Sequence, residues 1–254
     1  MLLNPGQLKT LFTGRHFLFL PTCHSTNSLA EELVSNDSIP NGYVVITANQ
    51  TAGRGQFGNT WEVDPGVNLT FSVIYKNIEL PVRDQFFLNI ITSLAVYQTL
   101  QVYVSKKIVV KWPNDIYCNQ NKIAGILIKN YVRGSQIINS IIGIGLNVNQ
   151  EKFATDKATS MLLLEGKEFE LNEVLNSVLE NLEFYFLKLQ RNENKVLKAL
   201  YLQNLFLIDQ YHQFESPNLG SFKGKIQGID SLGNLEVLIG DRLQTFGLKE
   251  ISYR

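Results

Sequence analysis

The feature that most constrains this fold is a glycine-rich loop that follows a β-branched segment. Residues 50–61 read Gln-Thr-Ala-Gly-Arg-Gly-Gln-Phe-Gly-Asn-Thr-Trp, with three glycines within six positions and Arg54 between the first two. Glycine opens backbone conformations that other residues avoid and lets a ligand approach the chain closely. Residues 43–48 are apolar and β-branched, which predicts a strand before the loop. Because a guanidinium suits phosphate or carboxylate, the pattern predicts an anion or nucleotide site.

The same glycines match the dinucleotide fingerprint G-x-G-x-x-G, which requires a helix to begin at the loop. The residues after Gly58 carry a Pro65-Gly66 turn signal and no helical period. The sequence therefore argues against a nucleotide-binding oxidoreductase. It also contains no Walker A pattern G-x-x-x-x-G-K-[ST].

Three further segments accompany the loop, namely Ser25–Asn27, Lys111–Asp115 followed by Lys122–Leu127, and Gly143–Asn149. In this order and spacing the set resembles the biotin–protein ligases, also called biotin–[acetyl-CoA-carboxylase] ligases. The resemblance extends from about Phe17 to the C-terminus. Each motif alone has limited specificity, but four chance matches would not fall in one order at family spacing.

Composition sets the broad class. The chain has 254 residues, 44% of them hydrophobic and 18% charged, which suits one large globular domain or one domain with a small partner. A net charge of zero gives no electrostatic footprint for non-specific nucleic-acid binding. Cys23 and Cys118 make no disulfide framework, and no signal peptide or membrane-length apolar run occurs. These features predict a cytoplasmic protein that binds neither membrane nor DNA.

The periodicity of apolar residues predicts both strands and helices, and the resemblance implies an α+β fold with a mixed, largely antiparallel sheet and packed helices. The resemblance adds a small C-terminal SH3-like β-barrel and implies a catalytic domain over residues 1–214 and the SH3-like domain over 215–254. Ser25 is the predicted cap of the first helix, Asn172 the cap of the third, and Asn119–Asn121 a hairpin turn. The predicted helices are 27–34, 81–100, 173–190 and 195–207, and the predicted strands are 43–48, 67–75, 108–112, 116–118, 123–131, 140–147, 222–229, 235–239 and 243–248.

The resemblance implies a two-step reaction. The carboxylate of biotin attacks the α-phosphate of ATP to form biotinyl-5′-AMP, and a lysine of a biotin carboxyl carrier protein domain then takes the biotin. ATP chemistry of this type uses Mg²⁺, for which Asp115 is a candidate ligand. Family members often carry an N-terminal DNA-binding module, but about 20 residues precede Ser25, which predicts the ligase-only class. Many members form homodimers, and the sequence leaves this open.

The resemblance also assigns site residues. Lys111 is the candidate catalytic cation that bridges the biotin carboxylate and the α-phosphate, and Arg54 contacts both ligands. A hydroxyl pair and an amide suit the ureido ring of biotin, which has one acceptor and two donors. The candidates for biotin binding are Ser25, Thr26, Asn27, Gln50, Gly53, Arg54, Lys111, Gly143 and Gly145. The candidates for nucleotide binding are Arg54, Gly55, Gln56, Trp61, Asn114, Lys122 and Asn147.

Two positions depart from a common form of the family loop. Gln56 and Asn59 stand where many members have arginine, so we expect weaker retention of the adenylate. Two alternatives remain open. A lipoate–protein ligase or octanoyltransferase would share the fold, and a non-catalytic biotin sensor would share the pocket.

Overall fold

The structure is a computed structural model that describes residues 8–254. The predicted catalytic domain begins at residue 1, and its first seven residues lie outside the described part. The α-helices are α1 (Thr26–Leu33), α2 (Phe86–Tyr103), α3 (Met161–Glu165), α4 (Leu171–Gln190) and α5 (Asn194–Gln203). The strands are β1 (Phe17–Cys23), β2 (Tyr43–Gln50), β3 (Leu69–Pro81), β4 (Ile108–Lys111), β5 (Asp115–Cys118), β6 (Asn121–Arg133), β7 (Gln136–Leu146), β8 (Tyr211–Ser216), β9 (Gly220–Ile229), β10 (Leu235–Ile239), β11 (Arg242–Phe246) and β12 (Ser252–Tyr253).

The strands form two sheets. The larger has seven strands in the order β1-β2-β3-β7-β6-β5-β4, and the smaller has five in the order β11-β10-β9-β8-β12. Only the β1–β2 pair is parallel among the described strand pairings; every other pair is antiparallel. This arrangement confirms the predicted fold class, a mixed sheet with packed helices and a C-terminal SH3-like module.

The two faces of the large sheet serve different purposes. On one face, Phe71, Val73 and Ile144 join the main core beneath α2 and α4. Because side chains alternate along a strand, Ser72 and Gly143 point to the opposite face. There α1 packs over a smaller apolar cluster and leaves the rest of the face open to a cavity. The small and polar residues of the central strands therefore line that cavity.

The SH3-like module is joined to the large sheet by a specific contact. The indole Nε1 of Trp112 donates a hydrogen bond to the carbonyl of Gly233 at 2.8 Å, and Trp112 is buried. Trp112 directly follows β4, so the contact links the Lys111 segment to the turn between β9 and β10. The module begins with β8 at Tyr211, while the division at residues 214 and 215 remains a prediction.

Several predicted elements were wrong in extent. The third helix begins at Leu171 with Glu170 at its N-cap, so Asn172 lies within the first turn instead of capping it. The helix predicted over 195–207 ends at Gln203, because the following residues pair with the edge of β4: Val110 N donates to Asn204 O, and Phe206 N donates to Val110 O, both at 2.8 Å.

The helix predicted from Pro81 also begins later than expected. Pro81 ends β3, a 3₁₀ turn covers Val82–Asp84, and α2 starts at Phe86. Periodicity did not predict β1, α3, β8 or β12. β1 contains Pro21, which an edge strand tolerates because one side of its backbone has no strand partner. No helix among residues 8–254 is long and apolar enough to cross a membrane.

Candidate active site

A cavity of about 500 Å³ opens on the face of the large sheet beside α1. It collects fourteen of the sixteen predicted site residues. Those that line it are Ser25, Thr26, Asn27, Gln50, Arg54, Gly55, Gln56, Trp61, Lys111, Asn114, Asp115, Lys122, Gly143 and Gly145. Gly53 and Asn147 are not among the lining residues. Residues of the SH3-like module, including Ile251 and Tyr253, close one side.

Two glycines of β7 make room on the cavity floor. Ser72 of β3 pairs with Gly143. Two residues away on the same face of the sheet, Thr70 pairs with Gly145. A Cβ atom at Gly143 would lie 2.3 Å from Asn27 Oδ1, and one at Gly145 would lie 2.3 Å from Trp61 Cε2. Any larger residue would therefore displace a side chain of the site.

The end of the cavity beside α1 is polar and hydrogen-bonded. Ser25 caps α1, as predicted, and its hydroxyl accepts from the Ser28 amide at 3.5 Å. The Oε1 atom of Gln50 accepts from the amide of Thr26 at 2.7 Å and from its hydroxyl at 3.2 Å. Strand β2 and the start of α1 thus hold the predicted hydroxyl and amide groups next to one another.

Ser72 connects this network and was not among the predicted site residues. Its hydroxyl lies 2.8 Å from Thr26 Oγ1 and 2.5 Å from Asn27 Oδ1, and the side chain is fully buried. Asn27 Nδ2 in turn donates to the carbonyl of Leu127 at 3.1 Å. Leu69, Phe71 and Val73 alternate with Thr70 and Ser72, and this pattern predicts a strand but does not distinguish Ser72 as a site residue. We call Gln50, Thr26, Ser72 and Asn27 the polar network.

The glycine loop is a short hairpin over the cavity. Gly53 O accepts from the Trp61 amide at 3.0 Å, and the Gly55 amide donates to Asn59 O at 2.7 Å. Gly53 is buried, and a Cβ atom there would lie 2.2 Å from Trp61 O. Gly58 closes the turn with φ of 83°. The loop contains a 3₁₀ turn at Gln56–Gly58 and continues as extended chain at Asn59, so no α-helix begins at the glycines, which agrees with the rejection of a dinucleotide motif.

The opposite end of the cavity is cationic. Lys111, Lys122 and Asp115 lie together there, Arg54 and Lys249 also line the cavity, and Asp115 provides the one carboxylate among the described lining residues. Such an excess of positive charge in a chain of zero net charge favours an anionic ligand. Asp115 Oδ1 lies 2.6 Å from Lys122 Nζ. Trp61 adds a ring whose centroid is 5.5 Å from the same ammonium.

Lys111 is held by aromatic rings. Its Nζ atom lies 4.5 Å from the ring centroid of Tyr117, 4.7 Å from that of Tyr253 and 6.0 Å from that of Phe206. Burial lowers the pKa of this ammonium below the usual lysine value, and the charge of Asp115 opposes the shift. We call these three rings the aromatic cage.

Two predicted nucleotide residues hold local structure. Asn114 is buried, and its Nδ2 atom donates to the carbonyl of Ile126, which fixes the start of β5 against β6. Asn147 Nδ2 donates to Thr159 O at 3.0 Å, while its buried Oδ1 has no partner among residues 8–254. Asn114 still borders the cavity, whereas Asn147 supports the strand end behind it.

The residues described here contain no cluster of three or more His, Cys, Asp or Glu side chains that could hold a metal ion. Asp115 alone could meet a cation that arrives on a polyphosphate, which fits Mg²⁺ because that ion keeps most of its ligands from phosphate and water. The donor set thus suits a metal carried by a nucleotide better than a resident one.

A small-residue floor, a polar network and a cationic end define a site for a ligand with a polar head and an acidic group. A family model described as the biotin/lipoate A/B protein ligase family matches residues 19–147. The chain belongs to this family.

Named relatives cover most of the chain. A bifunctional ligase/repressor of Bacillus spizizenii is 30% identical over 233 residues, which cover 90% of this chain and 71% of that protein. A biotin–[acetyl-CoA-carboxylase] ligase of Mycobacterium tuberculosis is 29% identical, covering 86% and 81%. The solved structure of a biotin protein ligase from Aquifex aeolicus in complex with biotin and ATP superposes with a TM-score of 0.78 at 25% identity, covering 94% of this chain and 99% of that one.

Proposed function

We propose that this protein is an ATP-dependent biotin–protein ligase that forms biotinyl-5′-AMP and transfers the biotin to a lysine of a carrier domain. The observation that carries the proposal is one cavity with a buried polar network at one end and a cluster of cations at the other. Biotin has the matching polarity, with a ureido ring at one end and a carboxylate at the other. Relatives named as biotin ligases support the same activity.

The polar network is the proposed site of the ureido ring. Hydroxyl and amide groups of Thr26, Gln50 and Asn27 supply both donors and acceptors in a buried setting. Unmatched polar groups in such a setting cost about 1–3 kcal/mol each, so a ligand without the ureido group would be disfavoured. The glycine floor gives the bicyclic ring its space.

The cationic end is the proposed site of chemistry. Lys111, the last residue of β4, has a compact charge that can face two anions at once, and Arg54 lies on the glycine hairpin that lines the same cavity. Holding the carboxylate next to the α-phosphate supplies the effective concentration for attack, and the cations stabilise charge that develops on the phosphoryl oxygens. The hairpin and Trp61 shield the mixed anhydride from water.

Further residues of the cavity are proposed to bind the nucleotide and its metal ion. Gly55 and Gln56 border the phosphate side of the cavity, and Trp61 offers a ring face for adenine. Mg²⁺ bound to ATP would neutralise phosphate charge, with Asp115 as its protein ligand; the Asp115–Lys122 contact would have to open for this. Lys122 would then be free to meet the phosphates.

The proposed acceptor is the biotin carboxyl carrier domain of a biotin-dependent carboxylase. An exposed sheet edge can accept an added strand from such a partner or from a second copy of the chain, and β1 forms such an edge. Cytoplasmic location and the domain division at residues 214 and 215 remain predictions, and homodimer formation remains open.

The test is to incubate the full chain with biotin, MgATP and a carrier domain, and to measure the intact mass of the carrier. We expect a gain of one biotin, which disappears when the acceptor lysine of the carrier is changed to arginine. No gain with the carrier, together with pyrophosphate release on addition of lipoate or octanoate, would instead identify a lipoate–protein ligase or octanoyltransferase. Biotin binding without turnover would identify a sensor.

A further inference from the structure

Lys111 has an unusual setting for a lysine in an anion-binding site. Among the described residues no carboxylate lies within 4.0 Å of its ammonium, and no acceptor hydrogen-bonds to it. The nearby carboxylate of Asp115 contacts Lys122 instead. The ammonium therefore keeps its three N–H donors for a ligand and is surrounded by ring faces.

One of those rings comes from the SH3-like module. Tyr253 lies on β12, where it pairs with Phe214 of β8, and its ring centroid is 5.4 Å from that of Phe214 and 5.9 Å from that of Phe206. The Trp112–Gly233 hydrogen bond fixes the module against the residue that follows Lys111. The ring position is thus fixed by packing within the small sheet, by contact with Phe206, and by the hydrogen bond that joins the two sheets.

The ring of Tyr253, not its hydroxyl, carries the contact. The hydroxyl oxygen is buried and has no hydrogen-bond partner among residues 8–254. A polar group left unpaired in the interior is a cost, so its removal should not harm the fold. The face of the ring, by contrast, lies 4.7 Å from the Lys111 ammonium, within the range of a cation–π contact.

We propose that Tyr253 is a positioning residue of the SH3-like module, whose ring holds the Lys111 ammonium charged and unpaired at the edge of the cavity. A carboxylate in the same place would neutralise the lysine and compete with the substrate anions. A ring face stabilises a cation more weakly than a phosphate or carboxylate does, so a substrate anion can still bind the ammonium. The cage therefore leaves the ammonium able to form ion pairs with the anionic groups of the substrates. This inference rests on the role proposed above for Lys111 in the ligase reaction.

The first test measures the rate of pyrophosphate release with biotin and MgATP, using the full chain. Tyr253→Leu removes the ring, and we expect kcat to fall about tenfold with the KM values for biotin and ATP changed by less than about threefold. Tyr253→Phe keeps the ring and should retain the wild-type rate. Phe206→Leu, at the longer distance of 6.0 Å, should lower kcat less than Tyr253→Leu does.

The matched control is Tyr211→Leu. Tyr211 is an exposed tyrosine of the same sheet, and its ring lies near Lys223 and Lys225, not near the cavity. This variant should leave the rate unchanged. A Tyr253→Leu rate equal to that of wild type, or an equal loss in Tyr253→Phe, would overturn the proposal.

The second test does not depend on activity. In protein labelled with ¹³C at the lysine ε carbons, the Lys111 ε protons should resonate upfield because of the ring faces, with the signal assigned from a Lys111→Arg variant. The shift should persist in Tyr253→Phe and decrease in Tyr253→Leu. An unchanged Lys111 signal in Tyr253→Leu would overturn the cage. If the wild-type chain shows the shift but biotinylates no carrier, the proposed function fails while the cage stands.

Discussion

The two ends of the cavity are built by different physical means. The polar network is largely buried, with Thr26, Ser72 and Asn27 exposed by 3%, 0% and 8% and Gln50 half-buried, and its side chains hydrogen-bond to one another or to backbone. The cationic end is more open, with the side chains of Lys122 and Asp115 exposed by 30% and 24%. Its lysines meet ring faces as well as charge.

This difference assigns separate tasks to the two ends. A buried hydrogen-bond network cannot adapt cheaply, so it selects a ligand by matching each donor and acceptor. Cations that contact aromatic rings or lie on loops can still bind an anion, so they can stabilise a group whose charge changes during the reaction. The comparison predicts that damage to the polar end weakens binding, while damage to the cationic end slows chemistry.

The largest effect is expected from Lys111→Ala. Loss of the cation between two anions should lower the rate of pyrophosphate release by about 10²–10³-fold, because the shortened side chain at the end of β4 carries no charge into the cavity. Lys129→Ala, which removes an exposed lysine paired with Glu31, is the matched control and should keep the wild-type rate. A Lys111→Ala rate within about threefold of wild type would contradict the catalytic task assigned to the cationic end of the cavity.

The next effect in size is expected from Gly143→Ala. The added Cβ would lie 2.3 Å from Asn27 Oδ1, so the amide must leave its bonds to Ser72 and to the Leu127 carbonyl. We expect the dissociation constant of biotin to rise about thirtyfold, measured by calorimetry, at a stability cost of about 1–3 kcal/mol. Gly228→Ala, in β9, is the control for the loss of a strand glycine, and its biotin affinity should not change.

Ser72→Ala is expected to weaken biotin binding less than Gly143→Ala does. Without the hydroxyl, Thr26 and Asn27 each lose a buried partner, and we expect the dissociation constant of biotin to rise about tenfold while kcat at saturating biotin stays near wild type. Ser93→Ala is the matched control, since the Ser93 hydroxyl is buried without a partner in the described chain. A large loss of kcat in Ser72→Ala with unchanged affinity would reverse the assignment of tasks.

The smallest effect is expected from Gln56→Arg. A second guanidinium on the hairpin should slow the dissociation of biotinyl-5′-AMP about threefold at low salt, and the gain should shrink as ionic strength rises. Stopped-flow measurement of adenylate release gives the rate. Gln101→Arg on α2 adds the same charge away from this cavity and should have no effect. An unchanged rate in Gln56→Arg would remove the idea that Gln56 weakens retention.

The sequence predicted the fold class and most of the cavity because the motifs, in their order and spacing, together indicate one fold and one site. Ser25 caps α1 as the pattern of polar and apolar residues predicted, and Lys111 lies at the end of a strand in the predicted segment. Periodicity overextended α5, because residues 204–206 pair with Val110 at the edge of β4 instead of continuing the helix. Local pattern does not report such tertiary pairing.

Two residues of the site were invisible to motif reasoning. Ser72 is one polar position in an alternating strand, and only the register with Gly143 reveals that it is buried beneath α1. Tyr253 lies about 140 residues from Lys111, and only the packing of the SH3-like module brings them together. Contacts of this kind require the fold as a whole.

The most direct test of the account is a crystal structure of the full chain with a non-hydrolysable analogue of biotinyl-5′-AMP. We expect the ureido ring to lie among Thr26, Gln50 and Asn27, and the linkage that replaces the phosphate to lie beside Lys111 and Arg54. The reverse orientation, or a ureido ring that makes no contact with the polar network, would contradict the division of the cavity into a binding end and a reacting end.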